Sequence, residues 1–348
     1  MPVTMRDVAL LAGVSPRTVS NVVNDFALVA PETRARVRRA IEELGYRPNP
    51  MAKSLRSGRS GLVMLALPDL SIAYFAELSS LIIAEARQRS YTVIIEQTDG
   101  DGVRELELID RDARRAFVDG LIFSPLALSA EQLADASAAL PVVLLGEHGA
   151  VGGHDHVGID NVGAARAAVE HLIGLGRRRI AAIGQQDAVS SETAVLRSAG
   201  YRAALEAAGR PVVPELIASV PAYHRDDGAA AMARLLALDE PPDAVFCYND
   251  LLAFGAMRAL AEHRLSVPDD VAVIGFDDSE EGRYRSPSLS TIAPDKKALA
   301  FAAMERLVGR IDGAEGPPTS QAVPFHLAAR ESTLGLGTGR SPAGLTTG

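Results

Sequence analysis

The sequence predicts a small all-α helix-turn-helix head followed by a large α/β body built on parallel sheets. Three observations carry that expectation. The first sixty residues are basic on an otherwise acidic chain, and helix caps and turn residues recur at short intervals inside them. From Gly61 onward, apolar strand-like runs alternate with helical stretches.

At 348 residues the chain has material for about two domains, taking roughly 150 residues for each. A hydrophobic content of 47% excludes disorder throughout. The net charge of −9 argues, taken alone, against a nucleic-acid partner. That average hides an asymmetry. Residues 1–60 carry ten Lys or Arg against five Asp or Glu, which is +5 and leaves −14 for the remainder. A basic head on an acidic body is the layout of a DNA reader joined to a separate sensor. The single cysteine, Cys247, excludes a disulfide framework and a Cys-rich zinc site and fits a reducing compartment. No segment approaches the ~18 apolar residues of a membrane span, and the N-terminus has no secretory pattern, so a soluble cytoplasmic chain without a membrane partner is expected.

The head builds from its caps. Thr4-Met5-Arg6-Asp7 is a Thr-x-x-Asp start able to cap a helix running to about Ala12. Gly13 supplies a permissive turn, Ser15 an N-cap and Pro16 a first helical residue for a second helix. On it Val19, Val22 and Val23 share one face, while Arg17 and Asn21 lie four apart on another, beside Ser20 and Asn24. Residues 31–44 read as a third helix, with Val37, Ile41 and Leu44 at helical spacing and Gly45 as its stop. Three such helices bury a small core and leave Arg17 and Asn21 facing outward for base edges.

Asn49 and Pro50 then open a short helix that ends by Gly58, too short to be stable alone. Leu55 between Lys53 and Arg56 has the pattern of an apolar wedge flanked by phosphate-binding cations, the device that kinks DNA from the minor groove.

In the body, strands are expected over 62–67, 92–96, 121–123, 142–145, 180–183, 244–247 and 272–275. Helices are expected over 75–88, 164–175, 200–208 and 251–262. Parallel sheets bind ligands at the carboxyl ends of their strands, and polar residues collect there: Asp69, Gln97, Asp99, Ser124, Gln185, Asn249 and Asp277. Carboxylates and amides suit a hydroxyl-bearing ligand, with Arg197 as an anchor and Tyr74, Phe75 and Tyr223 as apolar faces for a ring. Asp250 and Asp278 read mainly as helix caps.

The head resembles that of LacI/GalR-type transcriptional regulators. The likeness rests on Thr4-Met5-Arg6-Asp7-Val8-Ala9, Ala12-Gly13-Val14-Ser15, Thr18-Val19-Ser20, Val23-Asn24, Thr33-Arg34, Leu44-Gly45-Tyr46-Arg47-Pro48-Asn49 and Ala52-Lys53-Ser54-Leu55-Arg56. It continues through Asp160-Asn161, His171-Leu172, Arg197-Ser198-Ala199-Gly200-Tyr201, Asn249-Asp250 and Ile274-Gly275-Phe276-Asp277-Asp278. The resemblance implies DNA contacts at Thr4, Ser15, Pro16, Arg17, Thr18, Ser20, Asn21 and Asn24. It implies further contacts from the hinge at Asn49, Ala52, Lys53, Leu55 and Arg56. Family members often carry Arg or His where this chain has Asn21. The resemblance also implies a periplasmic-binding-protein-like sensor of two subdomains, with effector contacts at Thr193, Arg197, Tyr223, Asn249 and Asp277, together with Tyr74, Phe75 and Ser124.

The domain organisation expected on that basis is a helix-turn-helix domain over 1–47 and a hinge over 48–60. An effector-binding and dimerisation domain follows over 61–335, then a flexible tail over 336–348. Its first subdomain would take in about 61–160 and 292–319, and its second about 161–290 and 320–335. Competing chemistry is thin. The chain carries no phosphate-cradling Gly-x-x-x-x-Gly-Lys motif, no Gly-x-Ser-x-Gly elbow and no His-Glu-x-x-His pair. His154-Asp155-His156 reads as a polar loop before a strand rather than a metal site, and Cys247 as an inert core thiol. The expectation is a homodimeric, non-enzymatic repressor without cofactor, reading a pseudo-palindromic operator in double-stranded DNA and answering to a small effector, a sugar or sugar derivative. A solute-binding transport receptor and a sugar-processing enzyme are the alternatives.

Overall fold

The computed structural model describes residues 3–23, 28–46, 59–109, 117–135, 140–147, 149, 151–186 and 192–335. The chain divides after Gly61 into two compact units.

In the first unit, α1 (Met5–Ala12), α2 (Pro16–Val23) and α3 (Pro31–Leu44) have the bounds read from the sequence. Their ends follow from local chemistry. Thr4 and Asp7 form a reciprocal capping box, the Thr4 amide donating to Asp7 Oδ2 at 2.8 Å and the Asp7 amide to Thr4 Oγ1 at 3.4 Å. Gly13 closes α1 in the left-handed region at φ 65°, where a side chain would be strained. Ser15 Oγ accepts from the Thr18 amide at 3.1 Å and so caps α2. Val8, Ala9, Ala12, Val19, Val22, Val37 and Ala40 are the buried core of the three helices. Residues 48–58 of the hinge expected over 48–60, and the tail beyond 335, lie outside the described residues.

The second unit carries two six-stranded sheets. The first contains β1 (Leu62–Leu67), β2 (Thr92–Gln97), β3 (Gly120–Phe123), β4 (Val142–Leu145), β5 (Asp155–Ile159) and β11 (Ser320–Val323). Its order is β11-β5-β4-β3-β1-β2, and every pairing is parallel. The second contains β6 (Ile180–Gln185), β7 (Ile217–Ser219), β8 (Ala244–Cys247), β9 (Ala272–Phe276), β10 (Ser290–Pro294) and β12 (Phe325–Ala328). Its order is β12-β10-β9-β8-β6-β7, parallel except between β10 and β12.

Helices cover the sheets: α4 (Ala73–Gln88), α5 (Gly102–Ile109), α6 (Ala130–Asp135), α7 (Asn161–Gly174), α8 (Glu192–Ala207), α9 (Arg225–Leu236), α10 (Asp250–Glu262), the short α11 (Glu280–Tyr284), α12 (Lys296–Ile311) and α13 (Glu331–Leu334). One apolar core fills the second lobe. Two others fill the first, one of them built where α12 brings Leu299, Ala303, Met304 and Leu307 against Val63, Leu65 and Ile122.

The seven strands read from the sequence are present, each within two residues of its expected end. The five others are short or polar, which is why apolar periodicity did not show them. The His154-Asp155-His156 run differs most from its reading. Asp155 and His156 belong to β5 itself and are buried. Asp155 is paired with Arg310 and accepts from the Thr319 amide at 2.8 Å, while the His156 ring bonds Gly146 O at 2.7 Å and Ser320 Oγ at 2.8 Å. The chain passes between lobes after Ile159, at Asp295 and at Pro324, because β10 pairs in the second sheet and β11 in the first. The subdomain limits read at 292 and 319 therefore fall a few residues early.

Candidate functional site

The head presents one face of α2. Ser15, Pro16 and Arg17 are exposed, Thr18 and Asn21 half-buried. The exposed Thr4 is committed to its capping box. Ser20 differs from its expected role on the surface, since it is buried with only 5% exposure beside the Val19 and Val22 core positions. Asn24, Asn49, Ala52, Lys53, Leu55 and Arg56 lie outside the described residues.

In the body, one cavity of about 640 Å³ opens at the carboxyl ends of both sheets. All eight residues expected to meet an effector line it. Tyr74 and Phe75 come from the first turn of α4, Ser124 from the end of β3, and Thr193 and Arg197 from α8. Tyr223 precedes α9, Asn249 follows β8 and Asp277 follows β9. Glu147, Asn161 and Phe276 line it too and were not among them. Glu147 lies just past β4, so the strand-end rule that picked out Ser124 and Asp277 applies to it equally.

Arg197 is the cation at the back of this cavity. It is buried, its Nε donates to Asn161 Oδ1 at 2.9 Å, and its NH1 donates to the Tyr248 carbonyl. Its guanidinium stacks on Phe276, 3.5 Å from the ring centroid. Gly184, at φ 137°, makes room for this arrangement: a Cβ there would lie 2.4 Å from Tyr248. The Gly184 carbonyl also accepts from the Tyr223 hydroxyl at 2.9 Å.

Asp277 stands at φ 115° and Asp278 at φ 50°, two successive non-glycine residues in the left-handed region. The corner is held from outside. The Asp277 amide donates to Ile292 O at 2.9 Å, and Asp278 is paired with Arg283 and Arg330. Against a burial that would raise it, those guanidinium groups hold the Asp278 carboxyl below the usual range. Burial pushes Asp277 the other way, up to about 8, with Arg197 opposing and the Asp250 carboxylate adding. Its own carboxylate makes no hydrogen bond among the described residues. Burial, then the Asp277 and Glu147 charges, likewise raises the Tyr74 phenol.

Asn249, which lines the cavity, also takes the capping role expected of Asp250. Asn249 caps α10, its Oδ1 accepting from the Leu252 amide at 2.9 Å and its Nδ2 donating to Tyr223 O at 3.1 Å. Asp250 is no cap but a buried hub, accepting from the Ser279 amide at 2.7 Å, Ser279 Oγ at 2.9 Å and Thr291 Oγ1 at 2.7 Å. Asp278 is likewise an ion-pair partner rather than a cap. Both brace the strained corner that presents Asp277. The cavity wall thus offers the carboxylates of Asp69, Asp99 and Glu147, with the burial-raised Asp277 carboxyl, around one arginine already bonded within the protein. That wall accepts hydrogen bonds from hydroxyls and repels anions. Among the described residues no group of three or more His, Cys, Asp or Glu could hold a metal ion, and no helix is long and apolar enough to cross a membrane.

Residues 4–49 match the model for bacterial regulatory proteins of the lacI family, and residues 169–333 match a periplasmic binding protein-like domain. The HTH-type transcriptional regulator CelR of Thermobifida fusca is 35% identical over 339 residues, 94% of this chain and 98% of its own. The chain belongs to the LacI family. Among solved structures, the Lac repressor dimer bound to operator and the anti-inducer ONPF superposes with a TM-score of 0.85 at 29% identity, covering 96% of this chain and 99% of that one. A transcriptional regulator CelR–cellobiose complex matches with a TM-score of 0.69 at 32% identity, covering 95% of this chain and 99% of that one. The LacI-family protein described here is accordingly a helix-turn-helix transcriptional regulator with a two-sheet, parallel-rich α/β sensor.

Proposed function

We propose that the protein is a repressor that binds a pseudo-palindromic operator as a homodimer, through Arg17 and Asn21 of α2, and that an uncharged saccharide held between the two lobes sets its operator affinity. The observation that carries this reading is the acceptor-rich cavity around Arg197 and Asp277, in the same chain as a head that exposes Pro16 and Arg17. A ligand touching Tyr74, Phe75 and Ser124 on one lobe and Arg197, Asn249 and Asp277 on the other favours one separation of the lobes over others. Differential affinity of that kind is what shifts a two-state regulator. The operator-bound Lac repressor and the cellobiose complex of CelR, relatives of the same architecture, support the reading. The test is to select an operator from random DNA and then measure its binding against paired neutral and phosphorylated sugars. A change in operator affinity with neutral members alone is expected; a response to phosphorylated members alone would contradict the uncharged ligand.

A further inference from the structure

Glu105 is a fully buried carboxylate that is not among the residues lining the cavity. It sits on α5 and its two oxygens accept from three successive backbone amides: Leu126 N to Oε1 at 2.9 Å, Ala127 N to Oε2 at 2.9 Å and Leu128 N to Oε2 at 3.2 Å. The Thr98 hydroxyl donates to Oε1 at 3.4 Å. These donors belong to two different loops. One follows β2, whose last residue is Gln97, and carries Asp99 and Gly100 to the cavity; the other follows β3 and carries Ser124, Leu126 and Ala127. Neither loop is held in regular structure there, and buried amides need acceptors.

We infer that Glu105 is a positioning residue that clips these two loops together and thereby shapes the first lobe's wall of the ligand cavity. A charged acceptor bonds amides more strongly than a neutral one, and three in a row fix the direction of the 126–128 backbone. The loops are also packed against each other. A Cβ on Gly100 would meet Leu126 at 3.5 Å, and one on Gly102 would meet Ala127 at 3.4 Å. Both ends of the clip are anchored in the sheet. The Thr98 amide donates to Leu67 O at 2.9 Å and the Ser124 amide to Ala66 O at 3.0 Å, while Leu128 is buried in the core behind β3. Removing the carboxylate frees the segment between these anchors and leaves the second lobe untouched. The consequence for ligand binding rests on the proposed effector reading; the clip itself does not.

The test is amide hydrogen exchange on the full chain carrying Glu105→Gln, which keeps the side-chain shape and removes the charge. Thr98→Val serves as a milder second variant that deletes one donor. In Glu105→Gln the amides of Leu126, Ala127 and Leu128 should exchange at least tenfold faster, with those of β8 and β9 unchanged. In Thr98→Val the increase should be smaller and centred on residues 98–101. Unchanged exchange at 126–128, or faster exchange spread over both lobes, would overturn the positioning role. Calorimetric titration with cellobiose, ribose and other neutral sugars adds the functional readout. A sugar bound by the wild-type chain should bind at least tenfold more weakly to Glu105→Gln, and equal binding would overturn the role. A wild-type chain that binds none of them overturns the effector reading, while the exchange result still decides the clip.

Discussion

The guanidinium of Arg197 lies over the Phe276 ring, its carbon 3.5 Å from the ring centroid, where its Nε and NH1 are already bonded to Asn161 and Tyr248. A lysine at this position keeps the charge but loses the planar fork and the stack. With a desolvated cation–π contact worth about 2 kcal/mol, Arg197→Lys should weaken effector binding by roughly 10- to 100-fold. Operator affinity without effector should stay within about twofold. Titration calorimetry checks the first outcome and fluorescence anisotropy the second.

Asp277, next to Phe276, gives a pH signature. Its carboxyl is raised to about 8 by burial, with Arg197 and Lys296 opposing and Asp250 and Glu147 adding to the rise. A group whose folded-state pKa is raised binds more protons folded than unfolded, so it contributes stability below its unfolded value, lost as pH rises through the folded one. Asp250, raised to about 6, acts in the same direction at lower pH. The clean window is therefore above pH 6.5. Between there and pH 9 the wild-type melting temperature should fall more steeply than that of Asp277→Asn. Parallel curves would show that Asp277 does not titrate in that window.

The Asp250 hub is a stability prediction. Asp250→Ala leaves the Ser279 amide and hydroxyl without their acceptor inside the second lobe and the Thr291 hydroxyl with only the Ile292 carbonyl at 3.2 Å. Buried donors left unsatisfied cost about 1–3 kcal/mol each before relaxation, so a loss of several kcal/mol is expected. Denaturant unfolding measures it. A variant within about 0.5 kcal/mol of wild type would remove Asp250 from the bracing of the Asp277 corner.

For the head, Asn21→Ala should relax base preference at one operator position by about 1–3 kcal/mol. Random DNA should be bound as before. Equal losses on operator and random DNA would assign Asn21 to backbone contact instead.

Much of this was legible before any coordinates because it rests on local rules. Thr4, Gly13, Ser15 and Pro16 set the ends of α1 and α2 by capping and turn chemistry, and β1, β4 and β8 are uninterrupted apolar runs. Ser124, Asn249 and Asp277 follow strand ends, where parallel sheets place their ligands, while Thr193, on α8, was expected from the family resemblance alone. What escaped depends on partners far away in sequence. Asp155 and His156 become strand residues only because Arg310, Thr319 and Ser320 satisfy them. Ser20 is buried by the packing of three helices that no single periodicity describes. The role of Asp250 as a buried acceptor depends on Thr291 and Ser279, and Glu105 gave no signal because its amide partners lie more than twenty positions away.

The most direct test of an effector-controlled repressor is an anisotropy titration of the selected operator with the wild-type chain and with Asp277→Ala, each with and without a saturating neutral sugar. Operator affinity is expected to change at least tenfold with sugar for the wild-type chain and to stay constant for Asp277→Ala. The same sugar-induced change in both chains, or no change in the wild-type chain with any neutral sugar, would contradict it.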